Sequence, residues 1–239
     1  MKVRADQLLV TRGLAPTRPR AQALVLAGKV YVGEVRIDKA GAMLAEDTAI
    51  RVRGEDHAYV SRGGVKLEGA LDAFGIDPRA KRCIDLGAST GGFTDCLLQR
   101  GAAAVAAVDV GYGQLAHKLR GDPRVRVLER TNGRALEPDM VGGRADLVVV
   151  DASFIGLGKL LPAIVRCLAE GGELVALVKP QFEVGREEAS RTKGVVRDPA
   201  VRARAIEGAR KDVEGAGLLV LGICDSALDG PKGNREAFI

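Results

Sequence analysis

The chain has 239 residues, 46% of them hydrophobic and 3% aromatic, which is enough to bury one substantial core beside a small appended module. No run approaches the roughly 18 apolar residues of a membrane helix, and the opening MKVRADQLLV lacks the apolar centre of a signal peptide, so a soluble cytoplasmic protein with no membrane partner is expected. Cys83, Cys96, Cys167 and Cys224 are scattered without C-x-x-C spacing, and His57 and His117 stand apart, so neither a disulfide framework nor a metal site is encoded.

Charge is unevenly placed. Residues 1–39 hold eight Lys or Arg against three Asp or Glu, a surplus of +5 that equals the net charge of the whole chain. A basic end of this kind suits a polyanion, most often nucleic acid, with a merely solvated basic face as the alternative. Within it, RADQLLVTR (4–12) has a short helical pattern, and Thr17 is placed to cap a second helix over RPRAQALVLAG, with Pro19 in its first turn and Gly28 as its stop. KVYV and VRID then flank Gly33-Glu34 as a hairpin. Two short helices and a hairpin, studded with Arg12, Arg18, Arg20 and Lys29, resemble the S4 RNA-binding fold over residues 2–53, with Gly33-Glu34 where members commonly carry Asn-Gly. That resemblance implies RNA contact by these residues and Arg4, with Arg62 just beyond. So few rings are available to stack bases that phosphate contact and shape must dominate, and affinity is expected to fall steeply with salt.

The polar, glycine-rich RGEDHAYVSRGG (53–64) reads as a connector, giving an expected division into 1–53, a linker at 54–64 and a larger domain at 65–239. In the larger domain the apolar runs CIDL, AAVAAVDV, VRVLE, ADLVVVD, ELVALVK and LLVLGIC alternate with helical patterns near 65–74, 92–100, 157–169 and 199–216. Continuous apolar strands separated by helices predict an α/β, Rossmann-like domain with a mostly parallel sheet covered on both faces.

In such folds ligands sit beyond the carboxyl ends of the strands. The first of these ends, DLGASTGGFTD (85–95), has neither the Lys-Ser/Thr of a phosphate-binding P-loop nor the G-x-G-x-x-G of a dinucleotide turn. An ATPase or an NAD enzyme is therefore disfavoured. The stretch resembles the cofactor turn of S-adenosylmethionine (SAM) methyltransferases, which implies contact along Asp85, Gly87, Ala88, Ser89, Thr90, Gly91, Gly92 and Phe93. Glycines without a Cβ let the backbone approach the amino-acid end of the cofactor, and Asp85 can face its ammonium group. Asp109, closing the second strand beside Val110, can accept from both hydroxyls of an adenosine ribose, and Arg130-Thr131-Asn132 can meet the adenine edge. The plainer readings are a capping aspartate and a polar loop.

Two further strand ends carry charge: LVVVDASF ends a strand at Asp151, and LVALVK ends the next at Lys179. Neighbouring strands put these groups within ion-pair reach, although a lysine snorkelling to water with Pro180 as a stop explains Lys179 alone. With Lys66 in SRGGVKLEG and Glu236 in GNREAFI, the ordered set Lys66, Asp151, Lys179, Glu236 resembles the Lys-Asp-Lys-Glu tetrad of FtsJ-type RNA ribose 2′-O-methyltransferases. Together with SRGG, VDVGYGQL, DASFI and LVKPQFE it resembles the TlyA family, several of whose members carry a hemolysin label. The resemblance implies SAM-dependent methylation of cytidine ribose in ribosomal RNA, free or in a subunit and the large subunit foremost. Lys179 would orient the ribose hydroxyl and take its proton, Lys66 would favour loss of the Lys179 proton, and the two carboxylates would oppose it. Glu236 stands so near the last residue that fraying is expected there. A SAM-binding assembly factor without catalysis and a membrane-active hemolysin are the rival readings.

Overall fold

In a computed structural model, residues 2–15, 17–52, 57–185, 194–230 and 233–239 are described. They divide into two compact units, Met1–His57 and Ala58–Ile239. Residues 53–56 of the expected connector lie outside the described residues. The helix α3 (Arg62–Phe74) corrects the remainder: Arg62, Gly63 and Gly64, placed in the connector, form its first turn. Just before it, the Val60 N–H donates to Asp95 Oδ2 at 2.8 Å and Gln99 Nε2 donates to the Ala58 carbonyl, so this stretch is docked against the larger unit.

The small unit has the expected helices, α1 (Ala5–Thr11) and α2 (Arg18–Leu26), and the Thr17 hydroxyl accepts from the Arg20 N–H. The strands β2 (Val30–Val32) and β3 (Val35–Arg36) pair antiparallel about Gly33, whose φ of +58° suits glycine. Three further short strands have too little periodicity to be read from the sequence. They are β1 (Lys2–Arg4), which pairs with β4 (Met43–Ala45), and β5 (Ile50–Val52), which pairs with β2. Ala5, Leu8, Leu9, Ala21, Leu24, Val25, Val30 and Ile50 form the core.

At its centre lies Asp6, wholly buried. Its carboxylate accepts from Arg4 Nε and Nη2, Arg18 Nε and Gln22 Nε2, all at 3.0 Å. The hydrogen bond from Arg4 is the foremost cause holding its carboxyl well below the usual carboxylate range, with Gln22 and Arg18 assisting against the opposing effect of burial. Arg4 and Arg18 therefore have a structural duty that the sequence reading missed.

The larger unit is built on seven strands: β6 (Arg82–Leu86), β7 (Ala104–Val108), β8 (Val125–Leu128), β9 (Ala145–Val150), β10 (Leu168–Val178), β11 (Cys224–Asp225) and β12 (Ala237–Phe238). Their order is β11-β12-β10-β9-β6-β7-β8, parallel from β10 to β8 and antiparallel on both sides of β12. Alternate residues of one strand point to opposite faces, and the two cores follow that parity. Ile84, Leu86, Ala106, Val108, Val148, Val150, Ala176 and Val178 face one core, whereas Cys83, Val105, Ala107, Leu147, Val149, Val175 and Leu177 face the other.

Two expectations are corrected at the β10 edge of this sheet. LLVLGIC is not a full strand: only Cys224 joins β11, and Leu219 and Leu221 are exposed. The last residues do not fray, because Ala237 and Phe238 are buried between β10 and β11 and Ile239 exchanges backbone hydrogen bonds with Ala176. The helical pattern near 157–169 resolves into a short 3-10 turn, Leu157–Lys159, and the helix Leu161–Cys167; the helix Pro199–Gly215 is as expected.

Candidate active site

Five parallel strands end on the same side of the sheet, and β7, β9 and β10 are followed there by charged residues, Asp109, Asp151 and Lys179. After β6 the chain turns through Gly87, at φ +92°, where an added Cβ would stand 2.8 Å from the Asp151 carbonyl oxygen. The helix α4 (Gly92–Gln99) follows the turn, and at Gly92 an added Cβ would meet the Ser61 hydroxyl at 2.2 Å. Glycine is required at both positions by close approach.

Asp109 follows β7. Its Oδ2 accepts from the Ser89 N–H at 2.8 Å and its Oδ1 from the Gly111 N–H at 2.6 Å, so the carboxylate is fixed with lone pairs to spare. Asp109, Val110, Gly111, Thr131, Asn132, Leu86 and Leu160 line a cavity of about 360 Å³. Asn132 also caps the 3-10 turn after it by accepting from the Arg134 N–H. Arg130 lies over the Tyr112 ring at 4.3 Å and is not among the residues that line the cavity.

A second cavity of about 460 Å³ adjoins the first, and Gly87, Ser89, Asp151 and Ser153 line both. Its walls include Lys66, Asp151, Lys179 and Glu236, together with Ala88, Thr90, Gly92, Phe93 and Arg62. The four charged groups form two ion pairs. Lys66 Nζ lies 2.5 Å from Glu236 Oε2, with 10% and 0% of the side chains exposed. Lys179 Nζ lies 2.5 Å from Asp151 Oδ1. Two cations and two anions leave the cluster neutral, which is why two lysines can be buried at the edge of an apolar core. Glu236 is 1% exposed, held by the strand β12 that follows it, and its Oε1 has no hydrogen-bond partner among the described residues.

Asp85 departs from expectation. It is completely buried, lines neither cavity, and its Oδ2 accepts from the Thr94 N–H and hydroxyl at 2.8 and 2.7 Å. Burial pushes its carboxyl up to about 7, opposed by Thr94 and reinforced by Asp151 and Asp109. It ties the glycine turn to the first turn of α4 and does not face an ammonium group across an open cavity. Gly91 also stays out of both cavities; an added Cβ there would strike Leu119 and Leu115.

Sequence reasoning missed Ser153 and Phe154. The Ser153 hydroxyl accepts from Lys179 Nζ at 2.9 Å. Phe154 is 91% exposed at φ +65°, lines the smaller cavity and packs at 5.2 Å on Phe182. The available signal was DASF itself, a large ring immediately past a strand-end aspartate in a chain poor in rings. Arg12 Nη2 donates to the Glu46 carbonyl at 2.6 Å, Arg20 is exposed and Lys29 is half-buried.

The family described as FtsJ-like methyltransferase matches residues 59–239, which is most of the chain. The chain belongs to the FtsJ-like methyltransferase family. An S4 domain matches residues 3–50 ahead of it. This FtsJ-like chain is 50% identical over 239 residues, all of its length and 89% of the relative, to the 16S/23S rRNA (cytidine-2′-O)-methyltransferase TlyA of Mycobacterium tuberculosis. It is 38% identical to the Hemolysin A of Brachyspira hyodysenteriae over 98% of this chain and 97% of that one. A solved structure from Streptococcus thermophilus, of a protein labelled a hemolysin, superposes with a TM-score of 0.76 at 43% identity, over 99% of this chain and 86% of that one. Among the described residues no helix is long and apolar enough to cross a membrane.

The residues present fit SAM. The smaller cavity joins a fixed carboxylate, Asp109, to apolar walls, and where it meets the larger one Gly87 lines both. The combined space suits a ligand of that size.

Proposed function

We propose that the protein is a SAM-dependent 2′-O-methyltransferase acting on cytidine ribose in ribosomal RNA. The observation that carries this reading is the pair of buried ion pairs, Lys66–Glu236 and Lys179–Asp151, lining one cavity that opens into a second bearing Asp109. Asp109 would hold the cofactor ribose, Val110, Asn132 and Leu160 its base, and the backbone of Gly87 to Ser89 its amino-acid end. When bound, SAM supplies a methyl group on a positively charged sulfur that departs as a neutral thioether.

The chain's own residues then have two tasks. The larger cavity must hold a ribose hydroxyl in line with the methyl carbon, and its proton must be shared or removed. Positioning contributes about 7–11 kcal/mol, whereas acid-base help of 10² to 10⁴-fold is worth about 3–5 kcal/mol. Lys179, tied to the rigid end of β10, serves first to orient the hydroxyl and second to accept its proton. Lys66 and Glu236 fix the opposite wall. Phe154 offers an exposed ring beside the smaller cavity on which a base can stack. In the small unit Arg12, Arg20 and Lys29 supply phosphate contacts, with Arg62 beside the larger cavity. The relative from Mycobacterium tuberculosis, named for this reaction, supports the same substrate.

The deciding experiment maps ribose methylation in both ribosomal RNAs from cells with and without the gene. A new 2′-O-methylcytidine that depends on the gene is expected, and identical maps would overturn the reading. In vitro, Lys179→Ala is expected to lower transfer at least about 10²-fold with SAM affinity by calorimetry within about threefold. Wild-type turnover in that variant would remove Lys179 from the mechanism.

A further inference from the structure

The surroundings of Lys179 Nζ contain a device that the tetrad does not describe. An ammonium group has three N–H donors. Among the described residues three oxygens surround this one: Asp151 Oδ1 at 2.5 Å, Ser153 Oγ at 2.9 Å and the Asp151 carbonyl at 3.3 Å. These partners are not equivalent. The carbonyl belongs to a residue whose N–H is bonded to Leu86, at the rigid end of β9, and it can only accept. The ionised carboxylate also only accepts. Ser153 alone can accept a hydrogen bond from Nζ and donate its own hydrogen elsewhere. It is exposed, and it lines both cavities, on the boundary where methyl donor and ribose would meet.

We propose that Ser153 is a positioning residue for Lys179 and the outlet for the proton released by transfer. The proposal rests on the methyltransferase reading above. Each methyl ether formed from a hydroxyl and a sulfonium releases one proton. The ribose O–H bond breaks toward the neutral form of Nζ as the O–CH₃ bond forms, and the bonding pair of the S–CH₃ bond stays on sulfur. The ammonium that rests beside Asp151 reaches this neutral form by passing one proton to Ser153 Oγ while the Ser153 hydrogen moves to water in the open cavity, and methyl transfer restores the ammonium. Between turnovers the same hydroxyl, 2.9 Å from Nζ, keeps the amine aimed at the cavity boundary. An exposed serine contributes little packing, so the fold tolerates its replacement.

The test compares Ser153→Ala, Ser153→Thr and Ser153→Val in the full chain, using transfer of labelled methyl from SAM to ribosomal subunits lacking the modification. Thr and Val share a shape and differ in the hydroxyl. In Ala and Val, kcat is expected to fall about 10- to 100-fold, while KM for subunits, SAM affinity by calorimetry and Tm hold near wild type. Thr is expected to recover turnover to within about threefold. Equal loss in Thr and Val, loss of SAM affinity, or wild-type kcat in Ala would each overturn the inference while wild-type enzyme still transfers methyl. Absence of transfer by the wild-type chain itself would instead strike the underlying reading.

Discussion

Removing the Glu236 carboxylate tests whether the buried pair is a structural commitment. In Glu236→Met the Lys66 ammonium, 8% exposed and 2.5 Å from its partner, is left in a site that no longer balances it. Breaking one side of a buried pair costs about 3–5 kcal/mol, because the surviving ion remains desolvated. For a unit of this size each kcal/mol moves Tm by about 2–4 °C, so a fall of about 6–20 °C is expected. The double variant Lys66→Met, Glu236→Met replaces both ions with flexible apolar chains of similar volume and is expected to return to within about 1–2 kcal/mol of wild type. Scanning calorimetry of the full chain, following the transition of the larger unit, reads both values. Both variants are expected to lose methyl transfer, which separates the stability of the pair from its chemistry. A single variant that unfolds within about 2 °C of wild type would refute the reasoning, since Lys66 would then be reaching water without Glu236.

Other perturbations probe the remaining parts. Gly87→Val places a branched side chain at φ +92° against the Asp151 carbonyl, so SAM affinity by calorimetry is expected to fall at least about tenfold; unchanged affinity would move the cofactor away from this turn. Asp85 carries a carboxyl raised from 3.8 to about 7, so its contribution to stability is complete below about pH 4 and is lost as pH rises through 7. That span of about three units is worth about 4 kcal/mol, and Asp85→Asn is expected to flatten the fall in urea stability between pH 4.5 and 7.5; an unchanged slope would place the titrating group elsewhere. Asp6 has the opposite sign: its lowered pKa stabilises the small unit above about pH 4, and this is lost as pH falls further. Asp6→Ala is expected to cost that unit about 2–3 kcal/mol at neutral pH, visible as faster amide exchange in α1 and α2, and undiminished protection would contradict the reading.

The parts of this protein that were legible in the sequence are those governed by local rules. Thr17 and Gly28 mark their helix because capping and left-handed backbone act within a few residues, and the strands β6 to β10 read as apolar runs because a sheet covered on both faces leaves few polar positions. Asp109, Asp151 and Lys179 were legible as polar residues standing at strand ends, a consequence of the chain leaving the sheet there. What only the tertiary structure decided depends on partners distant along the chain. Lys66 meets Glu236 across 170 residues, and nothing local to GNREAFI shows that its last residues are locked between β10 and β11. LLVLGIC has the composition of a strand, yet the pairing that decides strandhood reaches only Cys224. Asp85 looks like a binding carboxylate until burial assigns it to Thr94, and Arg4 and Arg18 look like free cations until Asp6 is found between them. Local periodicity fixes which elements form, because backbone and side-chain preferences act over a few residues. The partners of a buried charge are chosen by the way those elements pack, so only the folded chain could say which of its charged groups serve the cavity and which hold the protein together.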